Sequence, residues 1–73
     1  MDIRRVVGLN LRRLRVAAGL SQDELAARTG SSRIYISGIE NGRRNPTVIV
    51  LNDLATQLGV DPRELLNPDV VER

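Results

Sequence analysis

Apolar side chains return every three or four positions near the start of the chain, at Val7, Leu11, Leu14 and Ala18, while Arg4, Arg5, Arg12 and Arg13 fall mostly elsewhere. That period predicts an amphipathic helix over residues 3–18, with Gly19 as its C-terminal stop. Ser21-Gln22-Asp23-Glu24 then has the form of a capping box. The Ser21 hydroxyl and the Glu24 carboxylate can each satisfy a free amide at the other's end. Leu25 and Ala26 begin the next apolar run, and this second helix should stop at Gly30. Thr47 can cap another helix over 48–58, with Leu51, Leu54, Ala55 and Leu58 inward and Gly59 as the stop. Asp61-Pro62-Arg63-Glu64 places Asp at N-cap, Pro at N1 and Glu at N3 of a short fifth helix. Leu65 and Leu66 lie in it, and Asn67-Pro68 ends it.

Between these elements lies "SSRIYISGIENGRRNP", residues 31–46, whose pattern is ambiguous. Ile34, Tyr35, Ile36 and Ile39 are β-formers by type. On a strand, however, Ile34 and Ile36 would be parted from Tyr35 and Ile39, and a single strand would have no partner. On a helix over 32–41, at about 100° per residue, Ile36, Ile39 and Glu40 share one face, with Tyr35 at its edge. Ile34, Ser37, Gly38 and Asn41 occupy the opposite face, with Arg33 at its border. Helix is the consistent reading, capped by Ser32 and closed by Asn41-Gly42, and the chain is all-α with five short helices.

The outward face of that helix is unusual. It carries an aliphatic group, a small hydroxyl, an arginine, and a glycine that costs roughly 1 kcal/mol relative to alanine in a helix interior. Such groups suit a close approach to base edges in a DNA groove. Arginine can take guanine bidentately, an aliphatic side chain can meet a thymine methyl, and glycine leaves room for the groove floor.

Composition narrows the alternatives. A chain of 73 residues buries only about 60% of its unfolded surface, which allows one small domain with a thin core. Cysteine and histidine are both absent, which excludes disulfides, the usual zinc sites and nucleophile–histidine catalysis. No catalytic constellation can be assembled from the remaining residues, and no cofactor is implied. No apolar run approaches the roughly 20 residues that cross a membrane. "MDIRRVVGLN" also lacks the apolar stretch of a signal peptide, so a soluble cytoplasmic protein is expected.

The net charge of +2 conceals an asymmetry: residues 1–44 hold nine arginines against four carboxylates, while residues 45–73 hold two against five. A polyanion-binding side joined to an acidic side accounts for this, as does ordinary scatter in a short chain. All eleven basic residues are arginine. That suits bidentate phosphate and guanine contacts, and it follows equally from GC-rich codon usage.

The segment "LRRLRVAAGLSQDELAARTGSSRIYISGIENGRRNPTVIVLNDLATQLGV" resembles the lambda-repressor-like, or Xre-type, helix-turn-helix family over about fifty of the 73 residues. Gly19, Ser21-Gln22, Glu24-Leu25-Ala26, Gly30, Ile36-Ser37, Ile39-Glu40, Gly42 and Leu51 through Leu58 carry the resemblance. "SRIYISGIENGRRNPT" looks most like the controller proteins of restriction–modification systems. The resemblance implies a compact five-helix DNA-binding domain over 1–67, with the helix-turn-helix at about 21–41 and a flexible tail over 68–73. It also implies double-stranded DNA as partner and a homodimer on a palindromic operator, acting as a transcriptional regulator.

Family position and helix geometry together put Arg33, Ile34, Ser37 and Gly38 at the bases, and Ser32 is a further candidate for base contact. Arg33 could instead hold only phosphate, and Ser32 could be a cap alone. The resemblance implies that Gln22 and the amides beginning the second helix hold a phosphate, which suits a helix N-terminus, and backbone contacts are also expected from Tyr35, Asn41, Arg43 and Arg44. The alternatives are solvated polar groups and, for Tyr35, the edge of the core. Arg15 and Glu40 match a structural ion pair of the family. Ile49, Val50, Leu65 and Leu66 are candidates for the dimer interface, unless the tail covers them. A different class of function remains open: an antitoxin-like module whose main role is to bind a partner protein, suggested by Ile49, Val50 and the acidic C-terminal part.

Overall fold

Five side-chain caps set the starts of the helices in the computed structural model, which describes residues 1–72. Asp2 opens α1 (Ile3–Ala17), Ser21 opens α2 (Gln22–Thr29), Ser32 opens α3 (Arg33–Glu40) and Thr47 opens α4 (Val48–Leu58). Asp61 opens a 3-10 helix, Pro62–Leu66. The capping box at α2 is complete: Ser21 Oγ accepts from the Glu24 amide and the Glu24 carboxylate accepts from the Ser21 amide, each at 3.0 Å. Gly30 ends α2 in the left-handed region at φ 67°, which glycine adopts without the Cβ clash other residues meet.

The chain is all-helical among the described residues, with three departures from the sequence-based expectation. The first helix ends at Ala17, and Ala18 is an exposed C-cap and not part of the inward stripe. The expected fifth α-helix is a 3-10 helix, leaving four α-helices. Five residues between the cap and Asn67-Pro68 are too few to establish a run of i→i−4 bonds, so the tighter turn forms. Residues Pro68–Glu72, expected as a loose tail, form a second 3-10 helix against α1. Arg73 lies outside the described residues.

α1 packs on α3 and on the first 3-10 helix, and α2 packs on α3 and α4. Leu11, Leu25, Ile36, Ile39, Leu54 and Leu65 are the largest buried apolar groups between these elements. Two α1 residues shape the packing without standing out in the sequence. A Cβ at Gly8 would lie 2.5 Å from the Ile39 carbonyl oxygen and 2.6 Å from that of Glu40, so only glycine lets α1 approach the end of α3. Asn10 is fully buried, and its Nδ2 donates to the carbonyls of Leu65 (3.2 Å) and Asn67 (2.9 Å). It ties α1 to the end of the first 3-10 helix, where backbone acceptors would otherwise lack partners. Arg13 joins this tie by donating to Asn10 Oδ1 at 3.1 Å and to Glu64 at 3.2 Å.

Candidate nucleic-acid interface

The turn between α2 and α3 is short and fixed by hydrogen bonds. The Ser31 amide donates to the Ala26 carbonyl at 2.9 Å, and the hydroxyls of Thr29 and Ser31 share a bond of 2.8 Å. Ser32 Oγ then accepts from the Tyr35 amide at 3.1 Å and starts α3. Ile36 and Ile39 are 0% exposed and clamp the inner side of α3 against the core. The rotation of α3 is therefore set, and Ile34 is left 75% exposed on the opposite side.

A second anchor sits at the end of α3. Glu40 accepts from Arg15 Nε at 2.6 Å and from Arg15 Nη2 at 3.1 Å. The side chains are only 3% and 12% exposed, respectively. Arg15 also donates to the Leu20 carbonyl at 2.8 Å. The bond to Glu40 holds the Arg15 guanidinium above its usual pKa, with burial opposing. Gln22 Nε2 donates to the same carboxylate at 3.1 Å, so one Glu40 links α1, α2 and α3. Gln22, expected at a phosphate, thus has part of its amide committed inside the domain.

The outward side of α3 and the following loop form one shallow depression lined by Arg33, Ile34, Ser37, Gly38, Asn41, Arg43 and Arg44. Seven of the residues expected at DNA, Gly38 among them, therefore meet in one concave surface. Ser37 Oγ accepts from Asn41 Nδ2 at 3.3 Å, which leaves the hydroxyl hydrogen free to donate outward. Tyr35 is not part of this lining and is half-buried against the core. Arg4, Arg13, Arg15 and Arg63 are paired with Asp2, Glu64, Glu40 and Asp61. Among the described residues, Arg33, Arg43 and Arg44 have no such partner, and neither do Arg5, Arg12 and Arg28, which lie outside the depression. The neutralised arginines thus lie elsewhere, and positive charge remains uncompensated where α3 faces outward.

One arrangement was not foreseen. The Arg44 side chain crosses α3 at Gly38, and its guanidinium carbon lies 6.0 Å from the centre of the Tyr35 ring. The space above Gly38, expected to admit the groove floor, holds the arginine stem. The candidates for a dimer surface separate as well. Ile49 is 71% exposed and Leu66 is also exposed, joined by Val48, which the periodicity did not single out. Val50 is half-buried against the core, and Leu65 lies wholly within it.

A positive, concave reading surface on the second helix of a helix–turn–helix unit, held at fixed rotation by two buried isoleucines, defines a DNA-binding domain of helix-turn-helix type. The chain belongs to the HTH_3 helix-turn-helix family, which it matches over residues 11–65. It is 54% identical over 68 residues to the uncharacterized HTH-type transcriptional regulator y4dJ of Sinorhizobium fredii, covering 93% of this chain and 88% of that one. It is 36% identical over 67 residues to the control protein C.BamHI of Bacillus amyloliquefaciens, covering 90% and 83%. Among solved structures it is similar to the restriction–modification controller protein C.AhdI from Aeromonas hydrophila. The TM-score is 0.81 and the identity 45%, over 85% of this chain and 90% of that chain. The α3 segment's resemblance to controller proteins is thus matched by whole-domain similarity to them. No helix among the described residues is long and apolar enough to cross a membrane.

Proposed function

We propose that this protein is a cytoplasmic, sequence-specific transcriptional regulator that binds a palindromic operator as a homodimer, each copy laying α3 in a major groove. The observation that carries the reading is the outward side of α3, where Arg33 and Ile34 stand exposed, with Ser37 half-buried between them and the loop, beside uncompensated arginines. Arg33, near the start of α3, is the base reader, with Ser32, Ile34 and Ser37 completing the edge contacts. Tyr35, Asn41, Arg43, Arg44 and the free part of Gln22 hold the DNA backbone.

The domain measures 30 × 22 × 20 Å, shorter than one turn of B-DNA at about 34 Å. One copy therefore covers one half-site, and two copies read an inverted repeat. Exposed Val48, Ile49 and Leu66 supply the apolar surface for pairing. Similarity to restriction–modification controllers supports a regulatory role of that kind.

Selection from a randomised duplex pool with the purified protein tests this reading. An inverted repeat with half-sites about one helical turn apart should emerge, and its binding should weaken steeply with salt. Equal retention of all sequences would overturn it. A stable complex with a co-encoded protein, without DNA selectivity, would favour the interaction-module alternative.

A further inference from the structure

Gly38 has an ordinary helical backbone; it is not among the residues with positive φ. Nothing in its conformation requires glycine, and alanine would favour the helix at that position. The reason lies in the space beside it. A Cβ built there would meet Arg44 Cγ at 2.6 Å, with Arg44 Nε and Cδ next at 3.3 and 3.5 Å. All three nearest atoms outside the helix's own backbone belong to one side chain.

The loop is built to return the arginine to this notch. The Arg43 amide donates to the Gly38 carbonyl at 2.8 Å, and the Gly42 amide donates to that of Ile39 at 3.0 Å. The chain is thus folded back along the end of α3 just before Arg44. From there the arginine stem lies across Gly38, and its guanidinium stops near the face of Tyr35, a favourable position for a cation over an aromatic ring.

We infer that Gly38 is a positioning residue: its missing side chain is the seat that holds Arg44 over Tyr35, so that a loop arginine stands ready on the outward side of α3. This rests on the DNA-binding reading above and deepens it. A flexible arginine already held in place loses less side-chain freedom when DNA arrives, so the seat raises affinity by preorganisation. Gly38 then acts through Arg44 and not through its own closeness to the bases.

The two roles separate in a double-mutant cycle on the selected operator, using Gly38→Ala, Arg44→Ala and both together, read by fluorescence anisotropy. Arg44→Ala should weaken binding roughly tenfold, as expected for loss of a charged contact. Gly38→Ala should weaken it several-fold, and the double variant should bind no worse than Arg44→Ala alone. If the two losses multiply, Gly38 serves close approach to the groove and the inference fails. It also fails if Gly38→Ala binds like wild type.

A second readout needs no DNA. Tyr35 is the sole aromatic residue of the chain, so tyrosine fluorescence reports this seat alone. Gly38→Ala and Arg44→Ala should shift the emission intensity to the same new value, while the melting temperature of Gly38→Ala stays at or above that of wild type. Wild-type emission in Gly38→Ala would show that Arg44 had not been displaced. A lowered melting temperature would show that Gly38 is needed for folding and not as a seat. Failure of the wild-type protein to select any operator would refute the DNA-binding reading, and the fluorescence comparison would still decide the role of Gly38.

Discussion

Gly8→Ala should destabilise the domain even though alanine is the better helix former. In an open helix the exchange would gain about 1 kcal/mol. Here the new Cβ would stand 2.5 and 2.6 Å from the carbonyl oxygens of Ile39 and Glu40. Unstrained carbon–oxygen contacts begin near 3.3 Å, so α1 must retreat from the end of α3 by roughly 0.7 Å. The obstructing atoms are backbone, and no side-chain rotation relieves them. Overpacking of this kind costs about 1–3 kcal/mol and sometimes more. The same movement would stretch the Arg15–Glu40 bonds that span the same two helices. After the propensity gain of about 1 kcal/mol, overpacking alone leaves a net loss of up to about 2 kcal/mol, and the strained Arg15–Glu40 bonds add to it. For a domain of this length each kcal/mol lost lowers the melting temperature by about 4–8 °C. Thermal unfolding followed by far-UV circular dichroism, at one fixed protein concentration because dimers unfold by mass action, measures it directly. A melting temperature equal to or above that of wild type would refute the reasoning, because it would mean that propensity and not helix contact governs Gly8. Its opposite number is Gly38, whose obstruction is a mobile side chain and whose alanine variant should not lose stability.

Two further perturbations test the anchors and caps. Arg15→Ala leaves the Glu40 carboxylate enclosed with only Gln22 as a side-chain donor, and should cost about 3 kcal/mol in urea unfolding; a loss below about 1 kcal/mol would show that the pair is effectively solvated. The Glu24 carboxyl is held below its usual pKa by the Ser21 amide and then by the Ser21 hydroxyl. Because its folded pKa is depressed, its contribution is full above the ordinary glutamate value near 4.5 and fades as pH falls through the lower folded value. Glu24→Gln should therefore flatten the acid side of the stability–pH curve, and an unchanged acid limb would count against the capping role.

Much of the fold was legible because local chemistry and periodicity agreed. Ser21 with Glu24, Thr47 and Asp61 announced their own helix starts, and Ile36 with Ile39 fixed which side of α3 faces inward. The residues that escaped notice act through neighbours distant in sequence. Gly8 reads as a weak spot in an amphipathic helix until the end of α3 is placed against it. Asn10 lies one step from Leu11 and Leu14 in the buried stripe, and only the backbone carbonyls of the first 3-10 helix explain a polar group there. A glycine inside a helix and an amide in an apolar stripe were the available signals, although neither names its partner. The fifth helix was located correctly and typed wrongly, since caps mark a start and say little about the number of turns that follow. At the interface, spacing gathered Arg33, Ile34, Ser37 and Gly38 on one side, but the path of Arg44 depended on how the loop folds back. Gln22 was assigned to a phosphate from the family resemblance and its place at a helix start, whereas the enclosed Glu40 carboxylate engages part of its amide within the domain.

The most direct test of the central claim is guanine N7 methylation protection on the selected operator, comparing wild-type protein with Arg33→Ala. N7 lies in the major groove, where bidentate arginine contacts are made. With wild-type protein, guanines in each half-site should be protected. With Arg33→Ala, at a concentration raised to offset a loss of about 1–3 kcal/mol, protection should disappear at one symmetry-related guanine and persist at the others. Unprotected major-groove guanines, or an identical pattern for both proteins, would contradict the placement of α3 and the base-reading role of Arg33.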